Sequence, residues 1–228
     1  MSEGDDRPAA VLFDVDETLI TTGGAGARSW RWAFDDLWGV EADIAKFTSG
    51  GMTDPDVARI TFEGVMGRAP TERELAQLLG AYLRRLPDEV AASAGYRVLP
   101  GVPELLTRLV GEGVLCGITS GALEASAHIK LGRGDLNRFF SFGGYGSDSQ
   151  DRGELTRKAI ERAGHIHGHA LDPRRVLVVG DTPLDIRAAH DAGAVAVGVA
   201  SGSYTAEELR ASGADHVLQS LAEPLPGV

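Results

Sequence analysis

Short apolar runs alternate with amphipathic segments along most of the chain. The first run, residues 9–13, is entirely apolar and ends on Asp14, which is the pattern of a strand buried on both faces of a parallel sheet. Further apolar runs predict strands at residues 114–119, 139–143, 175–180, 194–199 and 216–218. Helical periodicity separates most of these runs, which predicts an α/β fold with helices on both faces of a parallel sheet.

The region between the first two predicted strands has a different pattern. Residues 27–94 contain no strong strand signal, and their periodicity predicts helices at 27–37, 55–66 and 71–86. The last of these opens on Thr71 and Glu74, which have the spacing of a capping box. A block of about 70 residues is too long for an ordinary crossover between strands. We therefore expect a helical domain, residues 22–95, inserted into an α/β core domain made of residues 1–21 and 96–228.

Composition narrows the possible functions. The chain has 228 residues, a net charge of −11 and one cysteine. The acidic balance argues against a broad surface for nucleic acid or an anionic membrane, and one cysteine cannot form an internal disulfide. The sequence shows neither a leader-like N-terminal pattern nor an apolar run of the roughly 20 residues needed to span a bilayer. We expect a cytoplasmic protein that binds a small molecule.

Polar residues follow three of the predicted strands. Asp14 and Asp16 come at the end of the first strand, Thr119, Ser120 and Gly121 at the end of the second, and Asp181 and Asp185 after the fourth. In an open parallel sheet, ligands bind outside the carboxyl ends of the strands. We therefore expect these groups to converge on one site.

The residue types indicate phosphate chemistry. Asp14 and Asp181 offer the hard oxygen ligands that suit Mg²⁺. The Thr119 hydroxyl, with backbone N–H groups near Ser120 and Gly121, suits phosphate oxygens. A carboxylate such as Asp14 can attack phosphorus to form an aspartyl phosphate, and Asp16 can protonate the leaving oxygen and then activate water.

The order of these motifs resembles the haloacid-dehalogenase-like (HAD) superfamily. The similarity rests on Asp14-x-Asp16-x-Thr18, on Thr119-Ser120 and on Gly180-Asp181-x-x-x-Asp185, and it covers nearly the whole chain. The most similar members are phosphoglycolate-phosphatase-like, with a three-layer Rossmann-like core and a helical cap inserted after the first strand. The resemblance implies that Asp14 is nucleophile and metal ligand, that Asp16 is acid/base and ligates through its backbone carbonyl, and that Thr119 binds phosphate. It further implies that Asp181 ligates Mg²⁺ directly. Asp185 would contact the ion only indirectly, through a bound water or by a hydrogen bond to one of the ligands.

One family motif is altered. Members usually carry a Lys before the helix that leads to the fourth strand, and here Arg152 occupies that stretch. A guanidinium can pair with both the nucleophile and phosphate, so we expect Arg152 to be catalytic and phosphate-binding. Lys130, on the helix after Thr119, is the alternative. The family also often has Gly where Glu17 stands, and related caps often have Arg where Met52 stands.

The leading functional prediction is a Mg²⁺-dependent phosphatase for a small phosphorylated metabolite. A phosphomutase of the same fold, similar to β-phosphoglucomutase, remains an alternative because it uses the same first motif. A phosphate-binding or phospho-acceptor module without enzymatic activity is a further alternative. The length of the chain and its helical insert favour an enzyme.

Overall fold

The computed structural model describes residues 7–228 and confirms the α/β fold. The strands of this part of the chain are β1 (Ala10–Phe13), β2 (Ile20–Thr21), β3 (Arg97–Val98), β4 (Leu115–Ser120), β5 (Gly143–Tyr145), β6 (Val176–Gly180), β7 (Val195–Val199) and β8 (His216–Leu218). The α-helices are α1 (Ala25–Trp38), α2 (Asp54–Met66), α3 (Glu72–Ala92), α4 (Val102–Gly111), α5 (Glu124–Gly132), α6 (Arg152–His167), α7 (Pro183–Asp191) and α8 (Ala206–Ala211).

The main sheet has six parallel strands in the order β5-β4-β1-β6-β7-β8. β1 lies in the interior of the sheet and is fully buried, so every residue of the strand is apolar. Side chains alternate between the faces of a strand. Val11 and Phe13 accordingly belong to one hydrophobic cluster, while Ala10 and Leu12 belong to another on the opposite face.

Helices α1, α2 and α3 lie between β2 and β3 in the chain and share a third hydrophobic cluster. The rings of Trp30 and Tyr82 stack at its centre, with their centroids 4.0 Å apart. The capping box predicted at the start of α3 is confirmed: Thr71 Oγ1 accepts from the Glu74 N–H, and the Glu74 carboxylate accepts from the Thr71 N–H.

The chain enters and leaves this helical region through two adjacent strands, which the sequence did not predict. β2 and β3 are antiparallel, with Ile20 opposite Val98. Just beyond them Gly23 packs so closely on Gly95 that a Cβ on Gly23 would lie 2.6 Å from the Gly95 backbone. The Ser93 hydroxyl donates to the carbonyl of Thr22 at 2.7 Å. The two crossings between the core and the helical region are therefore closely packed against each other.

Other differences from the sequence prediction are local. The strand predicted at 139–143 is wrong in position, because Asn137–Phe139 forms a 3-10 turn and β5 begins only at Gly143. Helix α3 does not stop before Pro87 but continues to Ala92, since Leu86 and Val90 are both buried. Between residues 7 and 228 no helix has the length and apolar character that a membrane span requires.

Candidate active site

The carboxyl ends of β4, β1 and β6 lie side by side at one edge of the sheet. Phe13, the last residue of β1, is opposite Ile118 of β4 on one side and Val179 of β6 on the other. Because the strands are parallel and in this register, the polar residues that follow them are brought together, as the sequence predicted.

A cavity of about 270 Å³ opens over this edge. The core side of its wall includes Asp14, Asp16, Ser120, Gly121, Arg152 and Asp181. The helical region contributes Gly50, Gly51, Met52 and Asp54, and the rest of the wall consists of Glu17, Ala122, Thr182, Ser203, Tyr204 and Glu208. The predicted site residues thus line one cavity, except for Thr119 and Asp185.

Three buried carboxylates form the base of the site. Oxygens of Asp14, Asp181 and Asp185 all lie within 4.8 Å of one another, and their residues are only 6%, 4% and 2% exposed. Burial, with the nearby charge of Asp185, raises the pKa of Asp14 to about 7, although Arg152 acts in the opposite direction. Burial and the charges of Asp185 and Asp14 raise the pKa of Asp181 to about 9. This concentration of negative charge can be relieved by a proton or a cation.

Asp185 lies closer to the other two acids than the sequence implied. It is the third residue of α7, in a capping box where Thr182 donates its N–H and its hydroxyl to Asp185 Oδ2 at 3.1 and 2.7 Å. Gly180 permits this approach, because a Cβ there would lie 2.3 Å from the Asp185 carboxyl carbon. Asp185 is thus both a helix-capping residue and a member of the acidic group, whereas the Asp16 carboxyl is not part of that group.

Arg152 supplies a cation at this base. It is the first residue of α6, its side chain is 9% exposed, and its Nη2 lies 3.7 Å from Asp14 Oδ1 and pairs closely with Asp185. Among the described residues, its buried Nε has no hydrogen-bond partner. The guanidinium therefore neutralises part of the acidic group and retains a donor.

Lys130 makes a different contact. Its Nζ donates to Asp16 Oδ2 at 2.5 Å, and the two side chains are 6% and 42% exposed. Burial alone would lower the pKa of Lys130, but the charge of Asp16, with smaller contributions from Tyr82 and Asp54, raises it above its usual value. Lys130 does not line the cavity, whereas Asp16 does. Of the two candidates for the family's cation, Arg152 contacts Asp14 and Lys130 contacts Asp16.

Thr119 is not among the residues that line the cavity. Its hydroxyl is 2.8 Å from that of Thr156, which donates its own proton to the carbonyl of Arg152. A hydroxyl has one proton, so Thr119 is the donor in the bond to Thr156. Ser120 lines the cavity, as does Gly121, and the Ser120 side chain acts to lower the pKa of Asp14. The geometry therefore favours Ser120 over Thr119 as the hydroxyl that meets a ligand.

Asp54 joins the helical region to the core. Its N–H donates to the carbonyl of Gly121 at 2.8 Å, and its carboxylate accepts from the Leu123 N–H at 2.8 Å and from the Ser126 hydroxyl at 2.7 Å. Burial raises the pKa of Asp54, while the charge of Lys130 acts to lower it. These contacts fix the first turn of α2 against the N-terminal end of α5.

The loop before Asp54 fits between two core loops with no spare room. A Cβ on Gly121 would lie 2.5 Å from the carbonyl oxygen of Met52, and a Cβ on Gly51 would lie 2.7 Å from the Thr182 hydroxyl. Small residues at these positions therefore let the segment 50–54 form part of the cavity wall.

Glu17 adopts a left-handed conformation, with φ of 57°. A residue with a side chain is strained there, which is consistent with Gly being frequent at this position in the resembled family. Hydrogen bonds hold the turn: the Glu17 N–H donates to the Ile20 carbonyl at 2.7 Å, and the Ser201 hydroxyl donates to the Glu17 carbonyl at 2.6 Å.

Sequence reasoning favoured the loop 48–54 for specificity but assigned no contact to Asp54, and it missed Tyr204 and Glu208. Asp54 lies in the first turn of α2, where an acid is favourable on any surface helix, so nothing local indicates its contacts with α5. Glu208 has the same ambiguity, since it completes a capping box with Thr205. Only the packing of distant segments brings these residues to the cavity.

Comparison with known proteins gives a consistent result. The model of the haloacid dehalogenase-like hydrolase family matches residues 8–193. Phosphoglycolate phosphatase of Rhodospirillum rubrum is 29% identical over 226 residues, covering 94% of this chain and 88% of that protein. Phosphoglycolate phosphatase of Synechococcus elongatus is 26% identical over 224 residues, covering 96% of each.

Solved structures show the same fold. The crystal structure of CbbY from Rhodobacter sphaeroides in complex with phosphate aligns with a TM-score of 0.74 at 22% identity, covering 95% of this chain and 96% of that one. The structure of a hydrolase from Pseudomonas syringae aligns with a TM-score of 0.72 at 23% identity, covering 94% of each chain.

Proposed function

This chain belongs to the haloacid dehalogenase-like hydrolase family, and from that premise we propose that it is a Mg²⁺-dependent phosphatase for a small phosphomonoester. The position of Asp14 carries the proposal. Its buried carboxyl lies at the base of the cavity, within 4.8 Å of the carboxylates of Asp181 and Asp185 and 3.7 Å from Arg152. A carboxylate oriented into such a space can act as a nucleophile, and the names of the relatives support a phosphomonoester as its target.

The acidic group fits Mg²⁺. Three carboxylates supply the hard oxygen donors that this ion prefers. Burial and the neighbouring carboxylates raise the pKa values of Asp14 and Asp181, so a bound cation would be favourable there. We assign Asp14, Asp181 and Asp185 as candidate ligands, together with the backbone carbonyl of Asp16. When bound, the ion would keep these carboxylates ionised and polarise a phosphoryl oxygen.

In the first half-reaction, a carboxylate oxygen of Asp14 attacks phosphorus. The bond from phosphorus to the leaving oxygen breaks, and that oxygen takes a proton from the carboxyl of Asp16. The products are an aspartyl phosphate and a free alcohol. Arg152 and Ser120, with backbone N–H groups near Gly121, bind the phosphoryl oxygens, where the negative charge of the transition state develops.

In the second half-reaction, the carboxylate of Asp16 accepts a proton from water. The oxygen of that water attacks phosphorus, the bond from phosphorus to Asp14 breaks, and inorganic phosphate leaves. Asp16 suits both steps because its side chain is 42% exposed and lines the cavity. A positioned group of this kind contributes about 10²–10⁴ in rate.

We assign residues 22–95 as a cap domain over residues 1–21 and 96–228. The segment 50–54 and the contacts of Asp54 close one side of the cavity. Entry of a substrate then requires the cap to move, and its return excludes bulk water from the aspartyl phosphate.

The proposal is tested by hydrolysis of p-nitrophenyl phosphate with and without Mg²⁺, comparing wild type with Asp14→Asn. We expect phosphate release that needs both the ion and Asp14. The variant should fold, because the isosteric amide removes one of three mutually repelling carboxylates, and without Mg²⁺ its melting temperature should equal or exceed that of wild type. A folded Asp14→Asn that keeps substantial activity contradicts the nucleophile assignment.

The family and a transfer assay separate the two alternative functions, a phosphate-binding module without activity and a phosphomutase. Membership of a hydrolase family argues against a phosphate-binding module without activity. A phosphomutase would return the phosphoryl group to a sugar, so the same preparation should be incubated with hexose phosphates. Formation of an isomeric sugar phosphate, in place of inorganic phosphate, would support the mutase.

A further inference from the structure

The charge of the cavity wall is strongly unbalanced. Among residues 7–228, the acids that line it are Asp14, Asp16, Glu17, Asp54, Asp181 and Glu208. Arg152 is the one Lys or Arg side chain among these lining residues, and its guanidinium is already paired with Asp14 and Asp185. Any further anionic group of a substrate would enter a space without a cation to receive it.

The acidic residues without a neighbouring cation lie away from the part of the cavity that would hold the phosphoryl group. Asp14, Asp181 and Arg152 follow the strand ends or begin α6, and there the metal and the phosphoryl group belong. The rest of the lining remains for the alcohol part of the ester, and its members from the helical region and from the segment 203–208 are Gly50, Gly51, Met52, Asp54, Ser203, Tyr204 and Glu208, together with Glu17. Their charged side chains are acidic, and Met52 contributes no charge.

Three neighbouring cations lie outside this wall. Arg187 lines an adjacent pocket with Gly51 and Met52 rather than this one. Lys130 lies outside the cavity wall and its charge is taken up by Asp16 at 2.5 Å. In the helical region, Arg28 pairs with Glu89 at 2.7 Å. A carboxylate on the leaving group would therefore face Glu17 and Glu208 without compensation, and like charges repel strongly in a space partly shielded from water.

We propose that the substrate is a phosphomonoester of an uncharged or positively charged alcohol, and that phosphoglycolate is a poor substrate. This inference rests on the proposed phosphatase function. Tyr204 adds support, because an aromatic ring beside carboxylates suits a hydroxylated or ammonium-bearing group.

A matched series of small esters tests the inference. O-phosphoethanolamine, 2-hydroxyethyl phosphate and phosphoglycolate share a two-carbon alcohol and differ in its charge, which is positive, zero and negative. We expect kcat/KM for phosphoglycolate to be lower than for 2-hydroxyethyl phosphate by about tenfold or more at low ionic strength, and the gap to narrow as salt is added. We expect kcat/KM for O-phosphoethanolamine to equal or exceed that for 2-hydroxyethyl phosphate.

Variants that remove wall charges distinguish repulsion by the cavity wall from differences in the intrinsic reactivity of the esters. Glu208→Gln keeps the capping box, since Gln can replace Glu at that position, and Glu17→Gln keeps an acceptor for the Thr21 hydroxyl. The double variant Glu17→Gln/Glu208→Gln should raise kcat/KM for phosphoglycolate relative to kcat/KM for 2-hydroxyethyl phosphate. Glu207→Gln, one residue from Glu208 on α8 but outside the cavity wall, is the matched control and should leave the ratio unchanged.

For esters that turn over slowly, inhibition of p-nitrophenyl phosphate hydrolysis measures how tightly each ester binds. Weaker inhibition by phosphoglycolate than by 2-hydroxyethyl phosphate supports the inference. If phosphoglycolate is the best substrate or the tightest inhibitor, the inference is overturned, while Asp14-dependent hydrolysis of p-nitrophenyl phosphate still supports the phosphatase. Absence of hydrolysis of every ester, p-nitrophenyl phosphate included, overturns both.

Discussion

Replacing Lys130 with Met should separate two classes of ester. Lys130 holds Asp16 Oδ2 at 2.5 Å from a buried position outside the cavity. Met fills a similar volume but cannot donate a hydrogen bond, so the Asp16 carboxyl would lose its fixed orientation. The leaving group of p-nitrophenyl phosphate departs as a stable anion, whereas an alkoxide leaving group needs a proton. Loss of orientation should therefore affect alkyl esters far more.

The magnitude follows from the part that Asp16 plays. Positioned acid catalysis contributes about 10²–10⁴ in rate, and a misoriented Asp16 should forfeit on the order of 10² of that for 2-hydroxyethyl phosphate. For p-nitrophenyl phosphate we expect a fall of less than about threefold, since proton transfer adds little there. The quantity to compare is kcat/KM, because it excludes hydrolysis of the aspartyl phosphate, in which Asp16 acts on both substrates.

The effect on stability should be moderate. Removing one partner of a fully buried ion pair costs about 3–5 kcal/mol. Here the remaining Asp16 side chain is 42% exposed and can be hydrated, so we expect about 1–2 kcal/mol. Urea denaturation at matched pH measures this loss and shows whether the variant is folded in the kinetic assay.

Two controls sharpen the result. Lys158→Met removes a lysine of α6 whose Nζ donates to the Asp148 carbonyl at 3.2 Å, and it should alter neither ester. Lys130→Arg should restore part of the alkyl ester activity, because a guanidinium can still hold Asp16. Equal losses on both esters in a folded Lys130→Met would refute the positioning role, and a rise of KM for both would instead indicate direct binding of phosphate.

Three further predictions concern the same site. Arg152→Ala should lower kcat/KM for p-nitrophenyl phosphate by about 10²-fold or more, since it removes a cation beside Asp14, and it should exceed the effect of Lys130→Ala; the reverse order would transfer the role of the family's cation to Lys130. Gly121→Ala should raise KM and shift the cap, because its Cβ would lie 2.5 Å from the Met52 carbonyl oxygen; unchanged kinetics would show that this contact is dispensable. The pKa values of Asp14 and Asp181 are raised from 3.8 to about 7 and about 9. Between about pH 4 and pH 9 the folded protein therefore binds more protons than the unfolded chain, and its free energy of unfolding falls as pH rises. The increase in melting temperature on adding Mg²⁺ should then be larger at about pH 9 than at about pH 5, and an equal increase at both would contradict the assigned ligands.

Local patterns predicted most of the fold. Buried parallel strands leave continuous apolar runs, and Asp14 was recognisable because an acid directly after such a run is unusual. Capping residues such as Thr71 also act within a few residues, so they can be read from sequence alone. The strand at 143–145 was misplaced because its residues are Gly-Gly-Tyr, while the apolar residues that suggested a strand, Phe139, Phe140 and Phe142, come before it and lie in a 3-10 turn or in irregular backbone.

The site could be predicted only in part. Asp14 and Asp181 meet because strand ends share one edge of the sheet, which is a general property of this architecture, and Arg152 joins them from the first turn of α6. The assignment of Thr119 depended on which face of β4 a hydroxyl occupies, and Thr119 and Ser120 lie on opposite faces because side chains alternate. The contacts of Asp54 with α5 depend on how two separately packed regions meet, and no local pattern records that.

The paired crossings β2 and β3 bear on how such an enzyme can be altered. A segment whose two ends leave the core side by side, at Thr21 and Arg97, can be exchanged as one graft without changing the strand order of the six-stranded sheet. The chemistry would stay with the recipient core, and the donor segment would bring a new wall for the alcohol. Chimaeras joined at these two strands are therefore a rational route to new substrate ranges.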